Sequence, residues 1–291
     1  MKIKPFIKCP GGKSSLIPSL LAEFPEDFFG NKYNYIEPFV GGGALALHIL
    51  SKFKPNLGRL VVLNDRNTYI HKAWYFVQQC PIHLCSDYAK LASLPHTKDT
   101  FSEIRSELNT SKTQALSRTN VAKFIYLNKN CFNGLIRFNK KGEFNTPFGK
   151  YNKVQALNKT NIIQVSSLLQ PVPLYSLDFQ ACIEKLFNTN PALFSDKTLI
   201  YFDPPYIPLS KTSSFVSYTS NGFTLYDHYR LKSMIDFLTK IKVKVILSNS
   251  AAEQSYELYK NYNILEVLAK RSINSIKTKR HKIKELIIKN F

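Results

Sequence analysis

The chain predicts an α/β fold: an open sheet with its chemistry at the carboxyl ends of the strands. Two observations carry this. Thr198-Leu199-Ile200-Tyr201-Phe202 is a short apolar, β-branched and aromatic run of the kind that forms a buried strand. Asp203-Pro204-Pro205-Tyr206 stops it, and the two prolines fix successive φ angles. A carboxylate, a rigid turn and an aromatic ring are thereby held where open α/β sheets bind ligands. Read alone, the same four residues are also a plain strand-to-loop stop. The second observation is a strand, a glycine turn, a helix and another strand in succession over residues 34–65.

Composition narrows the class. A chain of 291 residues with 44% hydrophobic content can bury a core, as one enlarged domain or two. Forty Lys and Arg against 20 Asp and Glu leave a net charge of +20, which points to a polyanionic partner. Cys9, Cys80, Cys85, Cys131 and Cys182 are odd in number and lack a Cys-x-x-Cys pair, against both a disulfide framework and a zinc site. The segment Met1 to Lys8 lacks a signal-peptide apolar core, and no stretch reaches the ~18 apolar residues of a membrane span. The expectation is a reduced, cytoplasmic protein.

In chain order, Phe6 to Ser15 is a glycine-rich turn before a helix, with Ser14 or Ser15 as cap, Leu16, Ile17, Leu20 and Leu21 as apolar face, and Pro18 in the first turn. Gly12-Lys13-Ser14 invites a P-loop reading, but Ile7 stands where the first glycine belongs. Such a turn still offers backbone N–H groups and Lys13 to an anionic group. Asn34-Tyr35-Ile36 then runs through Glu37-Pro38-Phe39-Val40-Gly41-Gly42-Gly43 into a helix over Ala44 to Phe53. Leu60 to Asn64 is the next strand and ends in Asp65. That acid alone reads as a helix cap; with the glycine loop it reads as a ligand to ribose hydroxyls.

From Thr68 to Ile163 helical patterns dominate, as in Ile70 to Gln79 and Thr119 to Leu127, with polar connections over Pro95 to Thr100 and Asn109 to Arg118. Asn128 to Tyr151 mixes amides, basic residues and aromatics, with turn signals at Asn133-Gly134 and Lys141-Gly142. It suits contact with phosphates and base edges, and equally an irregular hairpin packed on the sheet. Strand character resumes over Pro173 to Phe179, and a helix over Gln180 to Phe187 precedes the Asp203 strand. Leu209 to Gly222, with seven Ser and Thr, reads as a polar loop. Thr224 and Asp227 form a capping box for a helix to about Lys240. Lys242 to Asn249 is a strand, Ala251 to Lys260 a helix, and Ile264 to Ala269 and Glu285 to Phe291 the last strands. Between these, Lys270 to Lys284 holds seven Lys and Arg and no acid, a solvated surface or a β-ribbon against phosphates.

Four motifs in this order, Lys8-Cys9-Pro10-Gly11-Gly12-Lys13, Glu37 to Gly43, Asn133-Gly134-Leu135-Ile136-Arg137 and Asp203-Pro204-Pro205-Tyr206, resemble the Dam-type (class alpha, D12) DNA adenine-N6 methyltransferases. Gly142 to Gly149 and Arg271-Ser272-Ile273 extend the resemblance over nearly the whole chain. It implies a seven-stranded, mostly parallel, Rossmann-like methyltransferase sheet. A catalytic domain of residues 1–67 and 170–291 would carry a helical target-recognition domain of residues 68–169. It implies S-adenosylmethionine bound by Cys9, Pro10, Lys13, Glu37, Pro38, Phe39, Gly41, Gly43, Asp65, Asp178, Phe179 and Asp203, without a metal. It implies double-stranded DNA as partner, with Lys8, Leu135, Arg137 and Pro147 reading a GATC-like site. Asn133 would hold phosphate beside Asn139, Phe132 would enter the duplex, and Lys277, Lys279 and Arg280 would meet the backbone. A monomer in the cytoplasm at the nucleoid, with or without a companion restriction endonuclease, completes the picture. Cys9 departs from the tryptophan of the housekeeping-type members, and Phe132 stands where some have tyrosine.

The implied chemistry follows from the residues. Adenine N6 is a weak nucleophile because its lone pair is delocalised into the ring. Asp203 and the Pro204 carbonyl can accept its two N–H bonds and localise that pair, and Tyr206 can stack on the flipped base. Displacement at a sulfonium then needs positioning and electrostatics rather than a metal. Two alternatives remain: the same fold acting on cytosine N4 or RNA, and a silent basic DNA-binding protein.

Overall fold

The computed structural model describes residues 3–9, 11–30, 33–53, 58–111, 116–209, 222–270 and 282–291. The strands are β1 (Asn34–Glu37), β2 (Val61–Asn64), β3 (Leu174–Tyr175), β4 (Thr198–Phe202), β5 (Lys244–Ser250), β6 (Asn263–Lys270) and β7 (Lys282–Lys289). They form one seven-stranded sheet in the order β3-β2-β1-β4-β5-β7-β6. The pairs β3-β2, β2-β1, β1-β4 and β4-β5 are parallel; β7 runs antiparallel to both its neighbours. This is the mostly parallel sheet the resemblance implied.

Side-chain alternation assigns the two faces. Tyr35, Leu63, Leu199, Tyr201, Ile246 and Ile287 enter one apolar cluster. Ile36, Val62, Ile200, Phe202, Leu247 and Leu286 enter the other. Strands covered on both sides read as unbroken apolar runs, which is why β4 shows no polar alternation.

The cluster on the first face also takes residues of α1 (Ile17–Ala22), α2 (Ala44–Lys52), α3 (Thr68–Gln79), α4 (Pro81–Ala92), α5 (Lys98–Thr110), α6 (Arg118–Asn130) and α7 (Lys159–Leu169). The second is covered by α8 (Phe179–Thr189), α9 (Leu225–Lys240) and α10 (Glu253–Tyr259). Helices α3 to α7 occupy the chain between β2 and β3 and share the first cluster with the sheet. Among the described residues no helix is long and apolar enough to cross a membrane.

Local rules account for the ends of these elements. The α9 capping box forms as expected, with Thr224 and Asp227 bonding reciprocally. Asn67, rather than Asp65, caps α3. Neither Ser14 nor Ser15 caps α1: Lys13–Ser15 form a 3-10 turn, and α1 starts after Leu16 without a side-chain cap. Pro18 in its first turn has no N–H to satisfy. Helix α5 starts at Lys98 and α6 at Arg118, so both expected connections in that region are shorter. The strand expected over Pro173 to Phe179 shrinks to two residues. The Asn64 side chain takes the Leu177 N–H, and Asp178 caps α8. Strand β7 begins at Lys282, and β6 pairs with it out to Lys270. Residues 271–281, between these two strands in the chain, and residues 210–221 lie outside the described residues.

Topology places the site. From β1 the chain passes through α2 to β2 on one side; from β4 it passes through α9 to β5 on the other. The crevice at the carboxyl ends of β1 and β4 is therefore the switch point where open α/β sheets bind ligands.

Candidate active site

The glycine loop closes the end of β1. Gly41 and Gly43 adopt φ of 48° and 66°, in the left-handed region. At Gly43 a side-chain carbon would collide with Cζ2 of the Trp74 ring, so only glycine fits. Trp74 Nε1 donates to the Gly41 carbonyl at 2.9 Å, which seats α3 beneath the loop. Asp65, at the end of β2, accepts the Gly41 N–H at 2.9 Å and the Asn67 N–H at 2.8 Å. Buried Asn64 donates to the carbonyls of Pro38 and Leu177, joining the loop to the segment before α8. Asp178 caps α8 and accepts Arg230 Nη2 at 2.6 Å; the Phe179 ring stacks on Phe39 at 5.5 Å. A cleft of about 960 Å³ lies beside Asp178, walled by Arg66, Arg230 and residues of α8 and α9, and takes in neither the glycine loop nor Asp203.

Across the crevice, Lys13 Nζ lies 2.8 Å from Asp203 Oδ1 and donates to the Gly11 carbonyl at 2.7 Å. The same ammonium sits 4.7 Å from the centre of the Tyr206 ring. The Tyr206 hydroxyl donates to Glu285 Oε2 of β7 at 2.8 Å. Two further elements hold this turn. The His228 ring of α9 lies beside the Pro205 carbonyl. From β5, Asn249 Oδ1 accepts the Ile207 N–H at 3.1 Å and the Ser250 hydroxyl donates to the Ile207 carbonyl.

Burial of carboxyl groups gives the crevice its electrostatics. Burial lifts the Glu37 carboxyl to about 8 against the opposing Tyr35 hydroxyl, which donates to it at 2.6 Å. Burial lifts Asp65 to about 6 against the N–H groups of Asn67 and Gly41. Asp203 is raised by burial and held back by Lys13, with Glu285 pushing it up. Burial, then Asp65 and Asp203, pushes the Cys9 thiol up, so Cys9 is a neutral group packed near Gly41 and Gly42. Groups shifted by burial and by one another, gathered in a crevice, mark a functional site. Among the described residues no cluster of His, Cys, Asp or Glu is arranged to hold a metal ion.

The second candidate region is the hairpin after α6. Asn133 and Gly134 both have positive φ, 54° and 66°, a sharp turn that exposes Phe132 to 43%. Gly134 packs against Lys8, where an added carbon would stand 2.5 Å from Lys8 Cβ. Lys8 is tied in turn to α6: its N–H donates to Asn128 and its Nζ to the Lys129 carbonyl, each at 2.8 Å. Arg137 is exposed, and Asn145 fixes its guanidinium through Nε at 2.7 Å and Nη2 at 3.0 Å. Pro147 is exposed and Leu135 half-buried on the same hairpin. Asn139 serves the turn itself, accepting the N–H groups of Lys141 and Glu143 and donating to Glu143 Oε2. Lys8, Phe132, Asn133, Leu135 and Arg137 thus converge, while Pro10, Lys277, Lys279 and Arg280 lie outside the described residues.

The model of the D12 class N6 adenine-specific DNA methyltransferases matches residues 10–273. The chain belongs to that family. A Type II methyltransferase, M.MjaIII of Methanocaldococcus jannaschii, is 37% identical over all of both chains. The Type II methyltransferase M1.LlaDCHI of Lactococcus lactis is 32% identical, covering 100% of this chain and 96% of its own. A DNA adenine methylase of Haemophilus influenzae is 33% identical over 99% of this chain and 93% of its own. This methyltransferase is therefore an adenine-specific enzyme acting on DNA.

Several residues of the methyltransferase crevice escape sequence reading. Trp74, the one tryptophan, looks like an ordinary apolar helix position. Asn64 carries a weak signal, as the one amide ending an otherwise apolar strand. His228 and Asn249 lie on α9 and β5, and only packing brings them to the Pro205 turn. Glu285, a lone acid in a basic and apolar segment, is the one with a readable sign.

Proposed function

We propose that the enzyme transfers a methyl group from S-adenosylmethionine to N6 of an adenine flipped out of duplex DNA, within a GATC-like site. The observation that carries this is the Lys13–Asp203 pair at 2.8 Å, opposite the glycine loop at the sheet's switch point. The donor set fits this cofactor. Carboxyl groups end β1, β2 and β4 at Glu37, Asp65 and Asp203, acceptors matched to an ammonium group, ribose hydroxyls and a positively charged sulfur. When bound, the cofactor supplies an electrophilic methyl group on a good leaving group.

The protein's own residues do the rest. Asp203 Oδ and the Pro204 carbonyl accept the two N6 hydrogens, drawing the lone pair out of the ring and towards the methyl group. Lys13, 2.8 Å away, opposes the upward push of burial on Asp203 and so favours the form that accepts. Tyr206 receives the face of the extruded base. Residues 1–67 and 170–291 serve the cofactor and reacting base. Residues 68–169 serve the target, with Arg137 bidentate to a guanine and Phe132 filling the gap left by the base. The Type II names of two relatives support a companion restriction endonuclease as a functional partner.

The test is methyl incorporation into defined duplexes, with product nucleosides identified by mass spectrometry and cofactor affinity measured by calorimetry. N6-methyladenine in GATC duplexes and its loss on any single substitution of the site are expected. Methylation of cytosine, or no heat with S-adenosylmethionine, overturns the reading.

A further inference from the structure

Tyr206 is the only member of the Asp203-to-Tyr206 turn whose side-chain hydroxyl reaches across to β7. Strand β7 is the last in the chain and the antiparallel one, with Glu285 opposite Ser250 of β5 and Val267 of β6. Its register puts Glu285 at the same edge of the sheet as the carboxyl end of β4. The neighbouring Lys284 turns outward and pairs with Glu266 at 2.7 Å, while Glu285 meets the Tyr206 hydroxyl at 2.8 Å. An acid at this place has a cost, since its charge raises the nearby Asp203 carboxyl. A strand built for packing alone, flanked by Ile283 and Ile287 on the same face, gains nothing from it.

Contacts at three places act on Tyr206: its backbone, its ring face and its hydroxyl. The Asn249 side chain takes the N–H of the next residue, Ile207, the ring face is met by Lys13, and the hydroxyl is held by Glu285. The backbone tether leaves the ring free to turn about its side-chain bonds. Lys13 attracts the face without fixing the direction of the hydroxyl. Only a bond at the far end of the ring fixes that direction, and a charged acceptor makes it a strong one.

We propose that Glu285 is a positioning residue for methyl transfer: by accepting the Tyr206 hydroxyl it fixes the ring on which the flipped adenine stacks. This rests on the role given to Tyr206 above. A base held on a misaligned ring presents its N6 at the wrong angle to the methyl group, which lowers the transfer rate more than it weakens binding.

The experiment compares Glu285→Ala, Glu285→Gln, Tyr206→Phe and the Tyr206→Phe/Glu285→Ala pair on a cognate duplex. It also measures Tyr206→Ala as a reference and records melting temperatures for all. Single-turnover transfer is followed on the adenine duplex, and on a second duplex with 2-aminopurine, which lacks the N6 acceptor, at the target position, fluorescence reports unstacking and restacking of the flipped base. Glu285→Ala and Tyr206→Phe are each expected to slow transfer by about tenfold, with cofactor affinity little changed. The double variant is expected to be no slower than either single one. Glu285→Gln, which keeps an acceptor oxygen, is expected to recover most of the rate. Glu285→Ala should brighten 2-aminopurine by loosening its stacking. The inference is overturned if Glu285→Ala transfers at the wild-type rate while Tyr206→Ala is impaired, if Gln is as slow as Ala, or if the two single losses multiply. If Tyr206→Ala is itself silent, it is the stacking role of Tyr206 that fails. A fall in melting temperature with an unchanged fluorescence trace assigns Glu285 a purely structural role and also overturns the inference.

Discussion

Removing the Asp203 carboxylate should separate chemistry from binding. In the proposed mechanism the group accepts the reacting amino group while duplex affinity rests on basic surface, so Asp203→Ala should lose all but a few per cent of methyl transfer while binding cognate duplex almost as wild type. Residual transfer well above that level, in the assay used for the wild type, counts against its role. Glu37 gives a pH prediction. Its carboxyl is held at about 8 in the fold, against 4.5 ordinarily, by burial. A raised carboxyl contributes stability that is complete below the unfolded value and is lost as pH rises through the folded one. Wild-type melting temperature should therefore fall between about pH 5 and pH 9 more steeply than that of Glu37→Gln, by roughly 2 °C or more. Parallel curves for the two proteins would refute it. Gly43→Ala meets both a left-handed backbone and the Trp74 ring, and should cost roughly 3 kcal/mol or more in denaturant unfolding.

At the scale of the element, the hairpin after α6 presents Arg137 as a pre-set fork. Asn145 already fixes the guanidinium, so little side-chain freedom remains to be lost on meeting a base. Arg137→Ala should relax selectivity at one guanine by ~1–3 kcal/mol and change the salt slope by about one unit at most. Asn145→Ala should weaken the same selectivity by a smaller amount without removing any charge. Titrations on GATC duplexes and on duplexes with single substitutions, at several salt concentrations, check both. Equal weakening of every duplex by Arg137→Ala would make it a phosphate contact instead.

For the whole molecule, the relevant quantity is a charge of +20 on a chain whose crevice is acidic. Under the proposed function, excess cations on the outer surface would release counterions from DNA rather than read bases. Lys277 and Lys279 fall in the basic run of residues 270–284, which the sequence reads as a solvated surface or a ribbon against phosphates. Their joint replacement by alanine should weaken cognate and non-cognate duplexes alike and flatten the salt slope by about two units. A loss confined to cognate DNA would move them into the recognition surface.

Local patterns made the parallel strands, the glycine loop, the capping box at Thr224 and the Asp203 turn legible in the sequence. Each is a short-range rule: an apolar run, a forced φ, a side chain bonding its own neighbours. The same holds for the ordered motifs that placed the chain in its family. The sequence could not say that Lys13 pairs with Asp203 or that Trp74 requires glycine at position 43. Nor could it say that Asn64 ties down the glycine loop or that Asn145 holds Arg137. It likewise could not bring Glu285 to Tyr206, 79 residues earlier in the chain. Most of these contacts join residues far apart along the chain, and only the packing of both sheet faces brings them within hydrogen-bond distance of each other.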